Sequence, residues 1–103
     1  MKGKGREPKV KNIVEIKSRL IEVLKRNGVK KAALFGSIAR GEAKEKSDID
    51  LIVEFSGRKS LLDLVELKME AEHALGRKVD VITYNSIHPL LKDRILNEQI
   101  PIL

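Results

Sequence analysis

The stretch Phe35-Gly36-Ser37-Ile38-Ala39-Arg40-Gly41, followed after a charged loop by Ser47-Asp48-Ile49-Asp50-Leu51, decides how this 103-residue chain is read. Its first half ends a short apolar run, Lys31 to Phe35, in a turn of small residues, which is how a buried strand stops. Its second half opens a run rich in β-branched residues, Asp48 to Phe55, that reads as the next strand. Alternate side chains of a strand share a face, so Asp48 and Asp50 stand together while Ile49, Leu51 and Val53 turn to the core. The two carboxylates are then about 7 Å apart at their Cα atoms. Their repulsion invites a hard dication, and an all-oxygen ligand set favours Mg2+ or Mn2+ over zinc.

Working outward, Val10, Ile13, Val14, Leu20, Ile21 and Leu24 recur at spacings of three and four, so residues 10–26 read as an amphipathic helix closed by Asn27-Gly28. Ile38 to Gly41 has room for about one helical turn, and Ala43 to Lys46 is a charged loop. After the second strand, Gly57, Arg58 and Lys59 make a turn. Ser60 and Asp63 then form a capping box for a helix reaching Leu75 and stopping at Gly76. Leu61, Leu64, Val65, Leu67, Lys68 and Ala71 are expected on its inner side, any apolar excess being a partner face. Val79 to Thr83 is a third strand, and Ser86 is expected to cap a short helix from about Pro89. Ile100 to Leu103 holds Pro101, so it can pair only at a sheet edge. Few strands among several helices imply an α+β, two-layer domain: a small mixed sheet covered by helices on one face, with the other face free to hold a site.

Composition narrows the function classes. There is no cysteine, which removes disulfides, thiolate metal sites and a cysteine nucleophile. No segment is long and apolar enough for a membrane span, so a cytoplasmic setting is expected. The net charge is +6, from 21 basic and 15 acidic residues. Five of the basic residues and one acid fall in residues 1–11, leaving 16 and 14 for the rest. Residues 1–9 are therefore expected to be a flexible basic tail, and 10–103 the folded domain. A near-balanced body with three aromatic residues is a poor single-strand binder, so nucleic acid is not the expected partner. His73 and His88 have no metal-ligand spacing and are expected on the surface. Tyr84 could stack on a base or simply pack, with packing favoured.

The chemistry gathers around the opening stretch. Gly36 lets a ligand approach the backbone, whose amides, with the Ser37 hydroxyl, can cradle phosphate oxygens. Arg40 adds positive charge beside them. A third acid, Asp80, lies between Val79 and Val81 within a strand, where a carboxylate is costly unless paired or metal-bound. Each piece alone has a plainer reading: an ordinary turn, an exposed strand face, a salt bridge from Asp80 to Lys78 or Arg77. Together, if the second and third strands are neighbours, Asp48, Asp50 and Asp80 can converge to hold two metal ions and activate a hydroxyl for attack on a phosphate.

Gly36-Ser37, ten residues, then Asp48-Ile49-Asp50 resembles the defining motif of the DNA polymerase β nucleotidyltransferase superfamily. The fuller run Gly-Ser-x-Ala-Arg-Gly, then Ser-Asp-Ile-Asp-Leu, is similar to its minimal one-domain branch, the MNT or MntA-type antitoxins, over residues 10–103. The resemblance implies that Asp48 and Asp50 bind both metals, that Asp80 acts with them on the attacking hydroxyl, and that Gly36 and Ser37 contact the triphosphate. Arg40 occupies a motif position. It further implies ATP as donor and a HEPN-type toxin as partner, silenced by AMP transfer to a tyrosine. No second domain is in view to grip a template, so acceptor specificity is expected to come from the partner. Two other readings stay open: an antitoxin acting by stoichiometric binding, and a transferase that modifies nucleic-acid ends.

Overall fold

The computed structural model describes residues 13–42 and 48–103. The basic tail expected over 1–9, the helix start at Val10, the charged loop 43–46 and Ser47 lie outside the described residues. The elements are α1 (Ile13–Arg26), β1 (Val29–Phe35), β2 (Ile49–Phe55), α2 (Leu61–Leu75), β3 (Val79–Thr83), a single 3-10 turn (Tyr84–Ser86), α3 (Pro89–Glu98) and the two-residue β4 (Ile100–Pro101).

The strands form one mixed sheet in the order β3-β2-β1-β4. β1 pairs antiparallel with β2 and with β4, whereas β2 and β3 run parallel and are joined through α2. As Pro101 requires, β4 is an edge strand, pairing at Ala33 and Leu34. β1 starts two residues earlier than the apolar run suggests. An irregularity between Val29 and Lys31 interrupts its register with β2. This bulge resets the alternation, so Val29 and Ala32 both enter the core although three residues apart.

α1 and α2 cover one face of the sheet. α1 buries Ile16, Leu20, Val23 and Leu24, spaced by four, three and one. Val14, expected on that face, is 80% exposed; two residues from Ile16, it lies about 200° around the helix. α2 has the expected Ser60–Asp63 capping box and ends at Gly76 in the left-handed conformation. Its inner side is narrower than expected and lies further along the helix. Leu67, Ala71 and Leu75 are buried, with Leu64 and Ala74 packed beside them, while Leu61 and Val65 are exposed and Lys68 is half-buried. These side chains meet Ile49, Leu51 and Val53, all without solvent exposure. Full burial of each such aliphatic residue is worth roughly 1.5–3 kcal/mol, which makes this layer the main source of cohesion.

His88, not Ser86, caps α3: its Nδ1 accepts from the Leu90 amide at 3.1 Å. Ser86 instead closes the preceding turn, accepting from the Thr83 amide at 3.3 Å and donating to its carbonyl at 2.9 Å. Among the described residues, no helix is long and apolar enough to cross a membrane.

Candidate active site

β2 enters the sheet at Ile49, immediately after Asp48, and β3 enters at Val79. Their parallel register sets Asp50 opposite Asp80, with Ile49 opposite Val79 and Leu51 opposite Val81. Register partners in parallel strands point to the same face. Because Ile49, Leu51 and Val79 are buried under the helices, Asp50 and Asp80 stand on the face opposite them. Asp48, an even-numbered step away, flanks the pair and is exposed.

Asp50 carries the electrostatic burden of this arrangement. Partial burial pushes its carboxyl above the usual range, and the charges of Asp80 and then Asp48 push it further, while Arg40 pulls it back. A carboxylate that is desolvated and faced by two other acids suits a hard dication. All its ligand atoms are oxygens, which fits Mg2+ or Mn2+. Among the described residues, no three acidic, imidazole or thiolate groups are gathered tightly enough to chelate one ion. The chain alone therefore juxtaposes Asp50 and Asp80, with Asp48 alongside, without closing a three-carboxylate cage.

The small-residue turn meets this pair from β1. Phe35 is the register partner of Asp50, so the next residue, Gly36, emerges beside the carboxylate. Gly36 has φ +72°, and a β-carbon placed on it would collide with the Asp50 carboxylate. Two conditions thus select glycine: the left-handed backbone and the absence of space. The Gly36 carbonyl accepts from the amides of Ala39 and Arg40, both at 3.1 Å, and the Ser37 carbonyl accepts from Glu42 at 2.8 Å. Ile38 anchors the turn by inserting into the core.

Arg40 is engaged within the protein. Its Nε donates to Glu42 at 3.0 Å and its Nη1 to Glu98 of α3 at 3.2 Å. These partners hold its pKa above the ordinary value. Glu98 is itself 3.5 Å from Arg94. Phe35, Gly36, Arg40, Leu91, Arg94, Ile95 and Glu98 enclose a cleft of about 250 Å³. The contribution of α3 to this cleft was not visible in the motif, because nothing in the local pattern near Leu91 links it to Gly36.

A larger cleft, about 450 Å³, opens at the far ends of β2 and β3, lined by residues including Glu54, Arg58, Lys59 and Tyr84. None of the three Asp residues borders it. Tyr84 packs as expected: its hydroxyl donates to Gln99 at 2.9 Å, and the Lys31 ammonium sits 4.7 Å from its ring centroid. His73 and His88 are exposed.

Residues 18–103 match the family described as Polymerase beta, Nucleotidyltransferase. The chain is 64% identical over 92 residues to a Methanocaldococcus jannaschii protein provisionally assigned as a protein adenylyltransferase, MJ0435, covering 89% of this chain and 99% of that one. It is similar to the solved structure of a protein provisionally assigned as a minimal nucleotidyltransferase, with 39% identity and a TM-score of 0.73 over 82% of this chain and 87% of the other. It shares the fold of a chain from the complex of a tri-AMPylated Shewanella oneidensis HEPN toxin with an MNT antitoxin, with a TM-score of 0.67 at 21% identity over 85% and 69% of the two chains. The helices, the mixed sheet and the Gly36 turn facing Asp50 and Asp80 are thus the parts of a nucleotidyl-transfer domain: the chain belongs to the polymerase beta nucleotidyltransferase family.

Proposed function

We propose that this nucleotidyltransferase moves AMP from ATP to a hydroxyl, in the first instance a tyrosine, of a HEPN-type toxin, and so serves as the antitoxin of a cytoplasmic toxin–antitoxin pair. The observation that carries the reading is the register pairing of Asp50 with Asp80 directly beside the Gly36 turn. A polyphosphate laid over that turn would have its reacting phosphorus next to the paired acids. The resemblance to the protein adenylyltransferase of M. jannaschii supports a protein acceptor, and the AMPylated HEPN toxin bound by an MNT antitoxin supports the partner.

In this reading Asp48, Asp50 and Asp80 hold Mg2+, with Mn2+ as a substitute. Bound there, the metal supplies charge neutralisation and polarises the phosphoryl group and the attacking hydroxyl. The chain's own contribution is placement. Gly36 and the Ser37 hydroxyl receive the phosphate oxygens. Asp80 faces the acceptor hydroxyl and takes up its proton. Arg40, held by Glu42 and Glu98, sets positive potential at the turn without being free to swing away. Phe35, Leu91 and Ile95 offer apolar surface for the nucleoside in the adjoining cleft.

The test is incubation with α-labelled ATP, Mg2+ and the protein encoded next to this chain. Label is expected on a tyrosine of that neighbour and is expected to vanish with Asp48→Ala. An unlabelled neighbour, or one labelled equally by Asp48→Ala, would overturn the reading. Inhibition of the neighbour without ATP would assign the chain to stoichiometric binding instead.

A further inference from the structure

Two adjacent parallel strands, β2 and β3, leave the sheet toward opposite faces. From β2 the chain passes through residues 56–60 into α2, whose buried side chains share the core with Ile49, Leu51 and Val53. From β3 it passes through the turn Tyr84–Ser86 into α3. α3 lies on the other face, because its Leu91 and Ile95 border the same cleft as Phe35. Phe35 is the register partner of Asp50 and shares its face. Where neighbouring parallel strands diverge in this way, a crevice opens outside their carboxyl ends, and such crevices are the usual ligand sites of parallel sheets. The cleft of about 450 Å³ lies at that point, and its volume is within the range of small-molecule sites. Asp50 and Asp80 stand toward the opposite, amino ends of the same strands, so the transfer chemistry does not use it.

The lining of this crevice matches the parts of a nucleoside phosphate. Arg58 and Lys59 border it from the loop between β2 and α2, and both are exposed. That loop is fixed by Ser56, whose amide and hydroxyl donate to the Gly28 carbonyl at 2.8 and 3.1 Å. The end of the Lys59 side chain lies over Gly28. A guanidinium beside an ammonium is a phosphate-binding pair, the first by its planar fork and the second as a point charge. Glu54, the acid of the lining, is held 3.2 Å from Lys30; its other carboxylate oxygen can accept from a sugar hydroxyl. Tyr84, fixed by Gln99 at its hydroxyl and by Lys31 at its ring, joins Phe55 as aromatic surface for a base. Thr83 and Asn85 add hydrogen-bonding groups from the end of β3.

We propose that this crevice is a second, non-catalytic site for a free nucleoside monophosphate, with the phosphate on Arg58 and Lys59, the sugar at Glu54 and the base against Tyr84 and Phe55. Two cations match the charge of one terminal phosphate. The volume suits a single nucleotide, whereas a strand of nucleic acid draws on an extended basic groove and successive stacking platforms. No bond forms or breaks there. The site goes beyond the transfer reaction and stands whichever acceptor the enzyme serves.

The experiment titrates AMP into the isotope-labelled protein in EDTA and follows the backbone amide resonances. Without a cation, Asp48, Asp50 and Asp80 repel a phosphate, so the turn at Gly36 is the internal control. Saturable shifts are expected at Gly57, Arg58, Thr83 and Asn85, with Gly36 and Ser37 unmoved. Adenosine and inorganic phosphate should each bind more weakly than AMP by about tenfold or more. Arg58→Gln combined with Lys59→Gln should weaken AMP binding about tenfold, and melting curves should show the fold unchanged, since both side chains are exposed. Shifts confined to Gly36 and Ser37, the absence of saturable shifts, equal binding of adenosine or inorganic phosphate, or unchanged binding by the double variant would each overturn the proposal. Tighter binding of a terminally phosphorylated oligoribonucleotide would overturn the assignment to a free nucleotide. Labelling of the neighbouring-gene protein is a separate measurement, so a failure here leaves the transfer reading intact.

Discussion

Gly36 lies against the carboxylate of Asp50, so closely that the backbone of one residue and the side chain of the other share the space a β-carbon would need. The turn that would hold the phosphates and the acid that would hold the metal are one packed unit. Gly36→Ala should cost about 1–2 kcal/mol for the left-handed backbone alone, and it should also displace Asp50. The expected result is a lower melting temperature together with a loss of transfer of more than tenfold, a rate loss larger than a phosphate-loop defect would give. Melting curves and labelling assays on the same preparation check both.

Asp50 is held above the usual carboxylate range by partial burial, then by Asp80 and Asp48. A folded-state pKa above the unfolded one means that ionising Asp50 works against folding. The penalty is present above the folded-state value, diminishes as pH falls through it, and is gone below the unfolded value. Asp50→Asn removes the charge while keeping the shape. In metal-free buffer at neutral pH it should therefore raise the melting temperature, by roughly 2–5 °C, and abolish transfer. The advantage over wild type should shrink as the pH approaches 4. Mg2+ should stabilise wild type and leave Asp50→Asn nearly unchanged.

Arg40 links the turn to α3 through Glu98. Its ion pairs are on the surface, where such pairs contribute little to stability, so Arg40→Gln should leave the melting temperature within about 1 °C. The expected effect is on ATP: a several-fold higher KM with kcat largely kept. Glu98→Gln should produce a weaker change of the same kind by loosening the guanidinium. Steady-state kinetics with varied ATP separates the two parameters.

Ser60 accepts from the Asp63 amide at 3.4 Å while Asp63 accepts from the Ser60 amide at 2.9 Å. Ser60→Ala should cost about 1 kcal/mol, seen as a melting temperature lower by roughly 4–8 °C. The bonds from Ser60 hold the Asp63 carboxyl below its ordinary value. Its contribution is thus complete above the unfolded carboxylate value and is lost as pH falls through the folded one. The stability difference between wild type and Ser60→Ala should narrow in acid.

Local signals were readable wherever a single segment settles its own conformation. Ser60 and Asp63 cap α2, Gly36 ends β1, Pro101 marks an edge, and Asp48-Ile49-Asp50 alternates its faces as a strand must. The neighbouring of β2 and β3 was a condition in the sequence reading, and the Asp50–Asp80 register meets it. What escaped depends on which surfaces meet. Val65 lies about 200° around α2 from buried Leu67, and Leu61 stands in the first turn, ahead of the buried residues Leu67, Ala71 and Leu75. Val14 on α1 is turned about 200° away from buried Ile16. His88 displaced Ser86 as the α3 cap because the Tyr84–Ser86 turn used the serine first. The bulge after Val29 left no trace in the composition of β1. Lys68, expected on the inner side of α2, is instead drawn to the sheet edge by Glu72, which also accepts the Val79 amide.

The two edges of this sheet end differently, and that difference constrains how a partner can be read. On the outer strand next to β1, Pro101 has no amide to offer. On β3, the Val79 amide is already taken by Glu72. A visiting polypeptide therefore cannot simply lengthen the sheet as a fifth strand at these positions, with its backbone doing the recognising. At these two positions recognition would fall to side chains reaching across the rim. Discrimination at the rim would then rest on the length and chemistry of single projecting side chains, not on an added strand.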